Sequence, residues 1–141
     1  EGHDSLTLQL KENSDNTNAQ NIPFAEEERN DISSAIYGSI YAVDVDTTHP
    51  LAFGYDKHYY SLKNSEVSYS FLDGGSVGKL SKNSKPLAGF SGSKATKLQS
   101  ESLIFGMENL GIGSVVYIVD NPLYRGFWEN GKLWVINAVF H

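Results

Sequence analysis

The first part of the chain alternates between apolar and polar stretches that predict one strand, one linker and one helix. The segment SLTLQL (residues 5–10) alternates polar and apolar side chains, as a strand with one buried face does. Residues 11–21, KENSDNTNAQN, carry almost no apolar surface, so we expect a flexible loop or linker. Pro23 and the three glutamates that follow it suit the positive end of a helix dipole, and they predict a helix over residues 23–34.

From residue 35 to residue 90 the pattern changes to short β-branched and aromatic runs. The longest run is AIYGSIYAVDV, and turn residues (Gly, Asn, Asp, Ser or Pro) bound each run. The later runs are PLAFGY, HYYSL, VSYSFL, SVGKL and LAGFSG. Such dense turns favour a mixed, largely antiparallel sheet over β-α-β units.

The remainder of the chain predicts two more strands and a closing segment. SKATKLQSESLIFGMENLG begins with one or two helical turns and continues as a strand, SLIFGM. The clearest strand is GIGSVVYIVD, because Val115–Val119 is apolar throughout, as in a strand buried on both faces. Asp120 or Asn121 can then cap a helix with Pro122 at its first turn, and ENGK predicts a turn. The final LWVINAVF is a strand by propensity or a helix by analogy, and its type stays open.

Length and composition fit one globular domain. The chain has 141 residues, of which 40% are apolar and 20% charged. We therefore expect an α+β fold over residues 23–141, in which a few helices flank a mixed, largely antiparallel sheet. Residues 1–22 would form the preceding strand and polar linker. The sequence does not begin with Met, so we expect a processed or excised portion of a longer chain.

Charge and residue types exclude several classes of function. The net charge is −6 and no cluster of Lys or Arg occurs, so binding to nucleic acid or to an anionic membrane has no electrostatic support. The absence of cysteine excludes a thiol nucleophile, a thiolate zinc site and any disulfide. No apolar run approaches the roughly 20 residues of a membrane span.

The four histidines offer little metal chemistry, since none lies in a His-x-x-Glu, His-x-His or His-Glu-x-x-His pattern. Asp44, Asp46 and His49 form the densest group of candidate ligands, because a strand puts the two aspartates on one face. The favoured interpretation is a turn that His49 ends by preceding Pro50. A small hydrolase would need these three side chains to meet Arg125 in one cleft.

Arg125 and the aromatic residues are the candidates for a binding surface. Arg125 follows a predicted buried strand, where ligands bind in open α/β sheets, and a guanidinium can clamp a carboxylate. In the favoured structural alternative it stacks on Trp128, Tyr124 or Phe127 and pairs with Asp120 or Glu129. If Arg125 binds a ligand, we expect His49 and Asp120 to take part. Aromatic residues can line a carbohydrate or peptide surface. The set considered is Tyr55, Tyr59, Tyr60, Trp128 and Trp134.

Two segments resemble a known family. SIYAVDVDTTHPLAFGYDKHYYSLK (residues 39–63) and GSVVYIVDNPLYRGFWENGKLWVINAVF (residues 113–140) look like the end of large exported bacterial zinc carboxypeptidases, whose catalytic domain is similar to carboxypeptidase A. EEERNDIS and GFSGSKATKL also fit, so the resemblance covers about residues 24–140. The final region of that family resembles a class I glutamine amidotransferase-like fold. The resemblance therefore implies an alternative fold, an α/β three-layer segment.

The resemblance implies an accessory role and no catalysis by this chain alone. The zinc site of the family needs a His-x-x-Glu pair, a later His and a catalytic Glu, and that pattern is missing here. The amidotransferase reaction needs a Cys nucleophile, which is also missing. We expect a non-catalytic C-terminal module of an exported zinc carboxypeptidase, with no cofactor of its own and with zinc in the parent enzyme. Its partner would be the catalytic domain of the parent chain.

The alternative is a free-standing domain that binds glycan or peptide through its aromatic side chains. Exposed aromatic rings would favour this alternative and buried ones would weaken it. Export to the periplasm, the outer surface or the medium is implied by the resemblance only. If a missing domain covers LWVINAVF, the isolated chain should expose an apolar patch and form a homodimer.

Overall fold

The computed structural model describes residues 5–12, 23–126 and 128–140, and it has the α+β fold that the sequence predicts. Six strands form one antiparallel sheet that curls into a half-barrel, and three α-helices accompany it in the described part of the chain. Every strand pair among the described residues is antiparallel, so the alternative of an α/β three-layer segment is wrong. Residues 13–22, which hold most of the predicted linker, lie outside the described residues.

The first strand is the centre of the sheet, because three other strands pair with it. The strands are β1 (Ile36–Val45), β2 (His58–Lys63), β3 (Ser76–Lys79), β4 (Ala88–Ser91), β5 (Leu103–Leu110) and β6 (Gly113–Ile118). Their order is β2-β1-β3-β5-β6, and β4 pairs with β1 outside this path. The helices are α1 (Phe24–Ser34), α2 (Ser93–Gln99) and α3 (Glu129–Val139). Short 3₁₀ turns span Pro50–Ala52 and Tyr124–Gly126.

Local signals explain the elements that were predicted correctly. Helix α1 starts after Pro23 and has Glu26 and Glu27 in its first turn, where the helix dipole favours negative charge. The hairpin between β5 and β6 turns through Gly111 and Ile112. Gly111 has a φ of 58° at the first turn position, as the primed hairpin turns require. Strand β6 therefore begins directly after a tight two-residue turn.

The core lies between one face of the sheet and α3. Alternate side chains of β1 and β2 point into it, as the two-residue period of a strand requires. Trp134 of α3 is fully buried at its centre, stacked on Phe105 with ring centroids 4.0 Å apart and on Tyr55 at 4.4 Å. Tyr59 meets the same indole edge-on at 5.8 Å. The core is therefore an aromatic cluster that holds α3 against the sheet.

Three segments that were predicted to be strands do not form strands among the described residues. PLAFGY forms the turn Pro50–Ala52, because Pro50 starts it and the His49 imidazole accepts a hydrogen bond from the Leu51 N–H at 3.1 Å. SLTLQL and VSYSFL meet only in one isolated bridge, between Leu10 and Tyr69. The Gln99 side chain binds the carbonyls of residues 66 and 67, so these groups do not enter a strand ladder.

The chain after β5 differs from its prediction in three ways. Strand β6 exists, but it is a half-buried edge strand and not a strand buried on both faces. The helix predicted from Pro122 is replaced by the turn Tyr124–Gly126, where Arg125 has a left-handed φ of 50° that interrupts a helix. ENGK is the first turn of α3, and LWVINAVF continues this helix. Burial of Trp134 against the sheet outweighs the turn propensity of Asn130-Gly131 and the strand propensity of the following residues.

Gly131→Ala is expected to destabilise the protein, although alanine is the better helix former. A Cβ at this buried position of α3 would lie 2.0 Å from the Pro122 carbonyl oxygen, so the helix would have to move away from residues 120–124. We expect the free energy of unfolding to fall by about 1–3 kcal/mol. Urea denaturation measures this change. Ile136→Ala, at a half-exposed position of the same helix, serves as the control for helix propensity. A gain in stability in Gly131→Ala would contradict the close packing.

Candidate functional site

The acidic segment that was considered for metal binding forms a turn. The Asp46 carboxylate accepts hydrogen bonds from the Thr48 N–H at 3.0 Å and from the Thr48 hydroxyl at 2.6 Å, and these bonds lower the pKa of Asp46. Asp44 lies 3.3 Å from the imidazole of His58, while His49 caps the turn Pro50–Ala52. Among the described residues, no group of three or more His, Asp or Glu side chains is placed to hold a metal ion. The described partner of Asp44 is His58 and that of Arg125 is Tyr124, so these contacts do not assemble the hydrolase constellation.

Arg125 is an exposed residue in a strained turn. Its φ of 50° and ψ of 18° lie in the left-handed region, and its guanidinium is 5.2 Å from the ring centroid of its neighbour Tyr124. The expected stacking on a neighbouring ring is therefore present. The expected pairing with Asp120 or Glu129 is not among the described contacts, because Asp120 is bound by Lys63 and Glu129 by Lys132.

Asp120 lies in the one buried ion pair described in the chain. Its carboxylate accepts a hydrogen bond from the Lys63 ammonium at 3.0 Å and one from the Ser61 hydroxyl at 2.6 Å. The Lys63 side chain is 1% exposed and that of Asp120 is 7% exposed. Lys63 ends β2 and Asp120 follows β6, and these strands are the two ends of the curled sheet. The ion pair therefore joins the two ends of the half-barrel.

The spacing of residues along β2 is a sequence signal for this cluster. Tyr59, Ser61 and Lys63 alternate along β2, so they share the face that carries core side chains. A serine and a lysine on a core face need polar partners, and Asp120 supplies them. The Ser61 hydroxyl is fully buried, and neither Ser61 nor Lys63 lines the cavities described below. We therefore interpret this cluster as a structural element and not as a nucleophile with its base.

Tyr59 connects the ion pair with Trp128. The phenol is 2% exposed, and its burial raises its pKa to about 12. A hydrogen bond with the Trp128 side chain opposes the increase, and the negative charge of Asp120 adds to it. The neutral phenol is therefore the form that the folded protein holds.

The raised pKa of Tyr59 predicts a loss of stability at alkaline pH. Below pH 10.0, the ordinary value, the phenol is neutral in both states and its stabilising contribution is complete. As the pH rises towards 12, the unfolded chain releases the proton and the folded protein does not, so stability falls. The loss attributable to this group is about 2–3 kcal/mol. Urea titrations across this range should show a shallower decline for Tyr59→Phe. Equal declines in the two proteins would contradict the assignment.

Tyr55 and Trp128 fix the start of α3 on β2. The Tyr55 hydroxyl donates to the Asn130 carbonyl at 2.5 Å and accepts a hydrogen bond from the backbone N–H of Trp134 at 3.0 Å. The Trp128 indole N–H donates to the Tyr60 carbonyl at 3.0 Å, and the Asn130 amide donates to the same oxygen at 3.3 Å. Burial raises the pKa of the Tyr55 phenol, so it stays neutral as a donor. These bonds hold the aromatic and amide side chains in place beside the edge of the sheet.

Two adjoining cavities lie along this contact and share Tyr60, Glu129 and Asn130 in their walls. The first has a volume of about 450 Å³ and also contacts Ile40 and Trp128. The second has a volume of about 350 Å³, and its further walls include Tyr55, Asp56, His58 and Leu133. The Tyr60 side chain is 48% exposed between them. We call this surface the aromatic groove, and it is the candidate functional site.

Of the candidate binding residues named from the sequence, Tyr55, Tyr59, Tyr60 and Trp128 line the aromatic groove, whereas Trp134 is buried in the core. Asp120, His49 and Arg125 are not among the wall residues of the groove, although the charge of Asp120 acts on Tyr59. Tyr60 had been considered only as one of several aromatic residues, and Glu129 and Asn130 were missed because ENGK predicted a turn. The start of α3 places these two polar side chains beside Tyr60.

Comparison with known proteins leaves the groove to be interpreted from its own geometry. No protein-family model, no curated protein and no solved structure matches this chain. In the described ranges, no helix has the length and apolar character needed to cross a bilayer.

Proposed function

We propose that this chain is a non-catalytic binding module whose aromatic groove takes a carbohydrate chain. The observation that carries the proposal is the half-exposed ring of Tyr60, placed between two adjoining open cavities with Trp128 in one wall. Aromatic rings with one accessible face suit the apolar faces of sugar rings. The indole N–H of Trp128 is bonded to the Tyr60 carbonyl, which fixes the indole in the wall. The volumes of the two cavities fall in the ordinary range of ligand sites.

The polar side chains of the groove suit hydroxyl groups. Glu129, Asp56, Asn130 and His58 supply carboxylate, amide and imidazole groups that can accept or donate hydrogen bonds. No lysine or arginine is among the groove residues described, and the Lys132 ammonium beside the groove is already paired with Glu129, so the described walls offer an anionic ligand no unpaired cation. A neutral polyhydroxyl ligand satisfies these groups better than an acidic one does.

A carbohydrate fits the edge of the sheet better than an extended peptide does. The Val45 N–H donates a hydrogen bond to the Lys57 carbonyl, and the pairing of β1 with β2 continues from there without a shift. Because bonded residues alternate along an antiparallel strand, the odd-numbered residues of β2 have the backbone groups that bond to β1. The backbone of Tyr60 therefore faces outward, and its carbonyl is already used by Trp128 and Asn130. A peptide adding to β2 as a strand would have to displace both donors.

The acidic groups of the groove have surroundings that support binding and not glycoside hydrolysis. The Glu129 carboxylate is exposed and is bound by the Lys132 ammonium at 2.6 Å. A catalytic acid of a glycosidase needs an apolar environment that keeps it protonated, and this contact provides the opposite. The function proposed is therefore binding alone.

The accessory role in an exported zinc carboxypeptidase is also a proposal. It rests on the resemblance of residues 39–63 and 113–140, and the two segments meet at the groove. Tyr60 belongs to the first segment, and Trp128 and Asn130 belong to the second. As such a module, the chain would direct a parent peptidase to a glycan-bearing surface, and the parent would hold the zinc.

Binding can be tested with a panel of neutral oligosaccharides by calorimetry and by tryptophan fluorescence. We expect at least one oligosaccharide to bind, and we expect Tyr60→Ala to weaken its affinity about tenfold or more. Tyr37→Ala is the matched control, because Tyr37 is 72% exposed on β1 and lies outside the groove. Equal losses in both variants, or binding of peptides in place of sugars, would overturn the proposal. No binding across the panel would also count against it.

A further inference from the structure

The outer edge of β6 is unpaired in the described part of the chain. The Val119 N–H donates a hydrogen bond to the Ile104 carbonyl. From there the pairing of β5 with β6 continues without a shift up to the pair Leu110 and Gly113 beside the turn. The odd-numbered residues of β6 therefore bond to β5. The N–H and C=O groups of Ser114, Val116 and Ile118 point away from β5, and no described residue bonds to them.

This edge lacks the features that normally prevent association. Edge strands are usually interrupted by charged residues, proline or a bulge. The segment GSVVYIV, residues 113–119, contains no charge and no proline, and its pairing with β5 has no bulge. Valine, isoleucine and tyrosine in this segment also have high strand propensity. By contrast, β2 has its outward Tyr60 carbonyl covered by the side chains of Trp128 and Asn130.

We propose that β6 is a dimerisation strand, which pairs in antiparallel orientation with β6 of a second copy. A two-fold axis at Val116 would bring Val116 opposite its equivalent and Ser114 opposite Ile118. In that register the outward-facing N–H and C=O groups of both chains meet as hydrogen-bonded pairs. The interface is isologous, and its two-fold axis closes it with two copies.

The second copy is favoured as the occupant because the segment is complementary to itself. No charged side chains would lie opposite each other in this register, so direct repulsion across the strands is absent. The chain carries a net charge of −6, and it offers no cation on β6 that would attract an acidic peptide. Polar Ser114 would lie opposite apolar Ile118 at the rims, and the valines would pack at the centre.

The oligomeric state can be measured by light scattering after gel filtration over a wide range of concentration. We expect a species of about twice the 15.5 kDa chain mass. Ser114→Pro removes an outward N–H that β5 does not use, so it should weaken the dimer about tenfold or more and leave the monomer folded. Ser114→Ala keeps the N–H and is the matched control, with an unchanged dimer. A monomer at every concentration would overturn the proposal, as would a Ser114→Pro dimer of unchanged strength.

Hydrogen exchange of the unmodified protein provides a second test that does not depend on a variant. The amides of Ser114, Val116 and Ile118 should gain protection as the concentration rises, while the odd-numbered amides are protected throughout by β5. Concentration-dependent protection at these three amides supports pairing through β6. If a dimer forms but these three amides exchange as fast as they do in the dilute monomer, the interface lies elsewhere and the proposal is overturned.

Discussion

Asp120→Ala is expected to lower the free energy of unfolding by about 3–5 kcal/mol, because it leaves a buried ammonium without its counter-ion. The Lys63 side chain is 1% exposed, and Asp120 is its described acceptor, at 3.0 Å. The substitution also leaves the Ser61 hydroxyl without its acceptor. Small domains are stable by about 5–15 kcal/mol in total, so this variant should unfold at a much lower urea concentration.

A double variant separates the loss of the ion pair from the loss of packing. Lys63→Met combined with Asp120→Leu removes both charges and fills similar volume, so it should recover most of the stability lost in Asp120→Ala. Lys132→Ala is the control, because its pair with Glu129 is exposed and should be worth less than about 1 kcal/mol. A change below about 1 kcal/mol in Asp120→Ala would show that water reaches Lys63.

Trp134→Ala is expected to have a similarly large effect, about 3–5 kcal/mol, for a different reason. The indole is fully buried between Phe105 and Tyr55, with centroid distances of 4.0 Å and 4.4 Å. Removing it leaves a cavity between α3 and the sheet, and the aromatic rings on both sides lose their contacts. Because Tyr55 and Trp134 also hold the start of α3, binding in the aromatic groove should weaken in this variant.

Trp134→Phe is the informative comparison for the core. The indole N–H is buried without a hydrogen-bond partner among the described residues, so phenylalanine removes an unsatisfied donor along with some volume. We expect this variant to lose clearly less stability than Trp134→Ala does, as measured by thermal and urea denaturation. Equal losses of stability in the two variants would contradict this account. The indole N–H of Trp134 would then have to be hydrogen-bonded, and the stacking of its ring would contribute less to stability.

The sequence predicted the elements that are encoded by local patterns. The alternation of AIYGSIYAVDV and HYYSL and the glutamates after Pro23 specify β1, β2 and α1 with errors of one residue. These signals act over a few neighbouring residues, so they do not depend on the rest of the fold.

The errors occur where tertiary packing decides the conformation. ENGKLWVINAVF contains an Asn-Gly pair and β-branched residues, yet it is helical because Trp134 fills the space between Phe105 and Tyr55. Val115–Val119 looks like a central strand, but the sheet order leaves β6 at the edge. Neither the order of strands nor the position of α3 is a local property of the chain.

The candidate site was predictable in its residue types and not in its arrangement. Tyr55 and Trp128 were named as possible binding residues because they are aromatic, and both line the groove. Asp120 was named as a ligand partner, but its carboxylate is occupied by Lys63 and Ser61. Such pairings join distant parts of the chain, and one sequence without relatives does not specify them.

The bond between Lys63 and Asp120 also bears on how long a folded molecule survives. The two residues are 57 positions apart, and β1, β3 and β5 lie between their strands β2 and β6 in the sheet. Contacts that close so long a loop are expected to form late in folding and to be largely absent from the transition state. Weakening this pair should therefore accelerate unfolding and hardly change the folding rate. The ion pair would then set the lifetime of the native state, and hence the resistance of the protein to proteases that attack the open chain.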